Sequence, residues 1–182
     1  MNKQKRNLIL VGAATVIVVV AVILFAVLST TGRGGERATL EQLYKGLYTT
    51  DGGGVPTIID TILPSLQQDY YDSITMGGTN FSQLAMWQSE ANSMVGSDVQ
   101  VSVKVLQTDD DDSSDLRVAK STYGSTIEAY HAVAFQLTLT GSDGTQELVG
   151  VLPMARQEGR WYVLEMDAGL MRVVDDGETA AQ

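Results

Sequence analysis

His131 is the single histidine of the chain. Its imidazole is the one side-chain type present whose ordinary titration lies near neutral pH, which suits it to proton transfer. In the stretch A-Y-H-A-V-A-F-Q-L it has the parity of Val133 and Phe135, so in a strand all three point to one face. A general base needs an orienting carboxylate, and Glu128, Glu165 and Asp167 are the candidates. One isolated histidine is not yet a constellation with checkable geometry. The plainer reading is a hydrogen-bonded histidine near a strand end, and no residue is assigned as catalytic.

The second chemical feature is Q-T-D-D-D-D-S-S-D-L-R, residues 107–117, where Asp109, Asp110, Asp111, Asp112 and Asp115 crowd into seven positions. Carboxylates of this density are hard oxygen ligands suited to calcium. An EF-hand loop beginning at Asp109 would need glycine at Ser114 and a bidentate glutamate at Lys120, and both fail. Asp112-Ser-Ser-Asp115 fits better as an N-cap and a first-turn acid. Leu116, Ala119 and Tyr123 then follow at helical spacing and Gly124 is a natural stop. Irregular calcium binding by the five aspartates is the alternative; otherwise no metal or cofactor is expected.

Tyr44, Tyr48, Tyr70, Tyr71, Met76, Met86 and Met94 are either core or the lining of an apolar pocket. The chain has no G-x-x-x-x-G-K-[ST], H-E-x-x-H or G-x-S-x-G, so nucleotide, zincin and hydrolase readings lack their defining residues. It has no cysteine, which removes disulfides, thiolate metal sites, CxxC redox chemistry and a lipobox.

These residues hang on a chain of 182 residues that begins with a membrane signal. Residues 8–28 carry no charge, and about 20 apolar residues in a helix cover the hydrocarbon core of a bilayer. A cleaved signal peptide usually has a shorter apolar region, about 7–15 residues, and a small-residue cleavage site. Leu28-Ser29-Thr30-Thr31-Gly32 offers no such site. Lys3, Lys5 and Arg6 precede the span without an acid among them, so the positive-inside rule leaves residues 1–7 in the cytoplasm and the rest outside. Nine of the 12 Lys/Arg and all 22 Asp/Glu follow the span, leaving −13 on the exported part. A field of that sign repels phosphate backbones, so nucleic acid is not an expected partner.

Residues 29–35 read as a linker and 36–173 as one α+β domain, with 174–182 an acidic, disordered tail. Leu40, Leu43, Tyr44, Leu47 and Tyr48 predict a first helix, with Thr39 and Gln42 placed as a capping box. Val55, Ile58, Ile59, Ile62 and Leu63 predict a second, stopped or kinked by Pro64. The segment from Tyr70 to Gly78 reads as irregular. A third helix follows Asn80 and ends at Gly96. The period then changes from near 3.6 to 2. Val99, Val101, Val103 and Val105 form a strand, and a second runs over about 128–140. Gly141-Ser142-Asp143-Gly144 predicts a hairpin into a third strand, about 146–155, apolar on both faces and expected to be covered on both. Glu158-Gly159 turns into a last strand over 160–167.

Helices first and then antiparallel strands is an α+β pattern: a curved sheet of about four strands packed against three helices. This order, closing on Gly159-Arg160-Trp161-Tyr162-Val163, resembles the nuclear-transport-factor-2-like (cystatin-like) superfamily. It is similar in particular to small exported bacterial proteins that carry the fold behind one N-terminal anchor. The resemblance covers roughly residues 36–170 and implies a cone between sheet and helices, with Trp161 as a core wedge. Members include isomerases, dehydratases, association modules and secretion scaffolds, so fold alone does not choose an activity. The expected function is a membrane-anchored extracytoplasmic domain acting by binding or assembly with a protein partner at the cell surface, not an enzyme. Two alternatives stand beside it. One is a small-molecule binder or isomerase-like enzyme using the cone with His131 as base; the other, by analogy of fold, is a scaffold component of a conjugation or type IV secretion-like complex.

Overall fold

The computed structural model describes residues 35–75, 82–109, 113–166 and 170–173. The chain divides after Gly35 into two units, and the elements described belong to the second. The span at 8–28 and the tail at 174–182 lie outside the described residues. Among those described, no helix is long and apolar enough to cross a membrane.

The domain is α+β with a five-stranded antiparallel sheet. Helix α1 (Glu36–Tyr48) buries Leu40, Leu43, Tyr44, Leu47 and Tyr48, the residues whose spacing predicts it. It starts one turn earlier than the capping-box pattern implies. Thr39 is inside the helix, where its hydroxyl donates to the Trp161 carbonyl at 3.1 Å and ties α1 to the sheet. Gly53, at φ 83°, turns the chain into α2 (Gly54–Thr61). A short 3-10 turn at Pro64–Leu66 leads into α3 (Gln67–Thr75). Sequence patterning treats 70–78 as irregular, yet Gln67–Thr75 is helical. Its apolar series is thin, with buried Ile74 and half-buried Tyr70 facing inward. Polar bonds supply the rest: Gln68 Nε2 donates to Asp72 Oδ1, and Thr75 Oγ1 to the Tyr71 carbonyl. Helix α4 (Ser82–Val95) follows.

Strands β1 (Gln100–Thr108), β2 (Ile127–Gly141), β3 (Gly144–Gln157) and β4 (Arg160–Val163) lie side by side in sequence order. The two-residue β5 (Met171–Arg172), absent from the sequence reading, pairs with Leu148 and Val149 of β3. β4 ends at Val163, short of the expected 167. On the edge of β4 away from β3, Ile62 bridges to Val163 and the Leu63 N–H donates to the Val163 carbonyl. On the β3 side the Leu164 N–H still donates to the Pro153 carbonyl at 3.0 Å.

One face of the sheet carries the main core. Val133, Phe135, Leu137 and Leu139 of β2 meet Val101 and Val103 of β1, Leu148, Leu152 and Met154 of β3, and the inner faces of the helices. Full burial of each such large apolar side chain is worth about 1.5–3 kcal/mol. Helix α5 (Ser113–Tyr123), between β1 and β2, packs on the opposite face, where Ala119, Ile127, Ala155, Leu63 and Leu164 form a second cluster. The expectation that β3 is covered on both faces holds at Ala155 and fails at Val151, which is 58% exposed because α5 does not reach across it.

Candidate functional site

His131 stands on the core face of β2, opposite Met154 of β3. Its Nδ1 meets Glu36 Oε1 from the first turn of α1, both side chains being 19% exposed. Trp161 of β4 lies against the imidazole with ring centroids 4.5 Å apart and planes tilted by 37°. Trp161 is itself 9% exposed and part of the main core. Arg156 sits over the outer side of its indole, 5.8 Å from the centroid. The imidazole is thus held by a carboxylate on one helix and an aromatic ring two strands away.

Among the described residues it is Glu36, and neither Glu128 nor Glu165, whose carboxylate meets His131 Nδ1. Glu128 accepts from Arg156 Nε at 3.1 Å and from the Gly159 N–H, closing the β3–β4 turn. Glu165 lies in the mouth of a different cleft, and Asp167 is outside the described residues. Glu36 was missed because it lies 95 positions away, directly after the residues that read as a linker. The available signal was its position as the first acid of a helix that must cross the sheet.

The acidic run does not gather into a site among the described residues. Asp109 follows β1, exposed, accepting from Gln107 Nε2 at 3.0 Å. Asp115 occupies the first turn of α5, as its helix-start reading requires, where a negative charge suits the helix dipole. Asp110, Asp111 and Asp112 lie outside the described residues. No group of three or more potential metal ligands occurs among those described.

Three of the seven tyrosines and methionines singled out do line a cavity. A cleft of about 490 Å³ opens between α1, α3, α4 and the segment after β4. Tyr44, Tyr48 and Tyr70 form walls of it together with Trp87. Tyr71 and Met86 are exposed, at 48% and 69%, Met94 packs against the core, and Met76 is not among the described residues. Tyr44 stacks on Tyr48, 5.9 Å between centroids, and leans on Phe135. Burial pushes the Tyr44 phenol well above its ordinary value, with Tyr48 adding to the effect. Tyr48 is pushed up to about 12 by burial first and the charge of Glu90 second. The Tyr70 hydroxyl donates to the Leu164 carbonyl at 3.2 Å.

No family model matches the chain, and neither does any curated protein or solved structure.

Proposed function

We propose that the protein is a membrane-anchored extracytoplasmic domain that acts by binding or assembly and not by catalysis. The reading rests chiefly on one observation. Phe135, Leu40 and Leu43 are fully buried beneath the sheet, and Trp161 closes over His131. A general base must come within hydrogen-bond reach of a substrate proton, and this packing takes up the space a substrate would need. The proposed anchor is residues 8–28, and the acidic part of the chain follows it. The nuclear-transport-factor-2-like resemblance belongs to the same proposal; a scaffold role in a conjugation or type IV secretion-like complex stands beside it as an alternative, by analogy of fold alone.

The isomerase-like reading keeps one observation in its favour, the Glu36 carboxylate on His131 Nδ1, since such a pair fixes an imidazole's orientation. It requires Trp161 to move aside. Crosslinking the full-length protein in its membrane and purifying the adducts separates the two. The binding reading predicts a protein adduct that forms equally in His131→Gln. Absence of any adduct, together with a turnover lost in His131→Gln, would overturn it.

A further inference from the structure

The face of the sheet away from the main core is only partly covered. Helix α5 seats Ala119 there beside Ile127 and Ala155, yet Val151 of β3 stays 58% exposed and Val118 of α5 60%. Both valines border one groove of about 430 Å³ between α5 and strands β2 and β3. Its sheet side is low, because Ala132 of β2 lies opposite Pro153 of β3 in register. Half-buried Tyr123 and Tyr130 complete the apolar lining. Apolar side chains scattered singly over a surface need no explanation, whereas a concave patch of them with a polar rim marks a contact site. The charge of the groove has one sign. Asp115 from the first turn of α5 and Glu165 after β4 line it, and no lysine, arginine or histidine does among the described residues. Both carboxylates act on one ring: the Tyr130 phenol is raised by burial first, then by the charge of Asp115, by Tyr123 and by the charge of Glu165.

These features choose among occupants. Acidic lipid headgroups and nucleic acid are repelled by the two carboxylates. A small molecule is normally enclosed over most of its surface, and valines this exposed leave the groove too open for that. A basic protein segment satisfies both the apolar lining and the charge. We infer that this groove is where the protein partner docks, through a segment that lays aliphatic side chains on Val118 and Val151 and brings lysine or arginine to Asp115 and Glu165. The inference rests on the binding reading above and supplies the surface it uses.

Titration calorimetry of the full-length chain in phosphatidylcholine nanodiscs, with empty nanodiscs subtracted, tests it with end-blocked tetrapeptides. K-L-L-K should saturate at one per chain. K-S-S-K, which keeps the charge and loses the aliphatic groups, should bind at least about tenfold more weakly, and E-L-L-E should not bind. Val151→Lys, and independently Val118→Lys from the helix, should abolish K-L-L-K binding while the circular dichroism stays native. Glu165→Gln should weaken it about two- to fivefold, the range of an exposed ion pair. Glu90→Gln removes the same charge from α4, which packs on the other face of the sheet, and should leave binding unchanged. Failure of K-L-L-K to saturate overturns the inference, as does binding that survives both lysine variants. Equal losses in Glu165→Gln and Glu90→Gln would also overturn it, because net charge and not the groove would then attract the peptide. Crosslinking in the membrane separates this failure from that of the binding reading. A protein adduct that forms equally in Val151→Lys and Val118→Lys would overturn the groove and leave the binding reading standing.

Discussion

The residues that decide the character of this domain are aromatic. Tyr48 shows how burial becomes a pH dependence. Its phenol is held protonated up to about 12, whereas in the unfolded chain it ionises near 10.0. A folded value above the unfolded one means the stabilisation is complete below pH 10 and is lost as pH rises toward the folded value. Tyr44 shifts in the same direction and for the same reason. The urea midpoint should therefore fall between pH 10 and 12, and Tyr48→Phe should flatten that fall. An unchanged slope in the variant would mean that Tyr48 is open to water. His131 teaches a different lesson about what residue types reveal. Its strand face was readable from parity with Val133 and Phe135. Its partner was not, because a helix in contact with a strand 95 residues later leaves no local periodicity to read.

At the scale of elements, two junctions hold the helices to the sheet. In the first, the β2–β3 hairpin caps α4: the Asp143 N–H donates to the Val95 carbonyl at 2.8 Å and the Ser142 N–H to Ser97 O at 2.9 Å. Gly141 permits this approach, since a Cβ there would lie 2.5 Å from the Val95 carbonyl oxygen. Gly141→Ala should lower stability by about 1–3 kcal/mol, the usual cost of forcing extra volume into a packed contact, measurable as a drop in the urea midpoint. In the second junction, Arg160 Nη2 donates to Asp60 Oδ2 at 2.6 Å and to the Asp60 carbonyl at 2.9 Å, joining β4 to the end of α2. The Arg160 hydrogen bond holds the Asp60 carboxyl below its ordinary value, against partial burial, with Gln42 and the arginine's charge adding. A depressed folded value gives stability that is present above the unfolded value and lost as pH falls through the folded one. Arg160→Met should thus cost up to about 1 kcal/mol at neutral pH, the scale of a partly exposed pair. The difference should narrow once Asp60 is protonated; a gap that stays constant with pH would assign the effect to packing. Most of these elements were legible in advance, because α1, α2, α4 and the strands carry clean periods and glycine punctuation. α3 was not, because polar bonds complete what its two apolar anchors begin. β5 was not, because two residues have no period.

The whole molecule is an acidic domain with its interior spent on its own core. The sequence pointed to a sheet covered by helices and a histidine on the covered face, and both are present. Whether that face is open could not be read from it, since openness depends on how far α1 reaches and where Trp161 lies. In the folded chain Glu36 of α1 and Trp161 both pack against His131 on that face. Closure of that face is reported by the accessibility of one imidazole. Because His131 is the single histidine, acylation by diethyl pyrocarbonate reports on it without interference from another imidazole. Glu36 and Trp161 should slow the reaction at least about tenfold relative to the guanidinium-unfolded chain, so that acylation waits on local opening. Trp161→Ala should restore much of the lost rate. A native rate equal to that of the unfolded chain would place His131 in an open pocket and contradict the account.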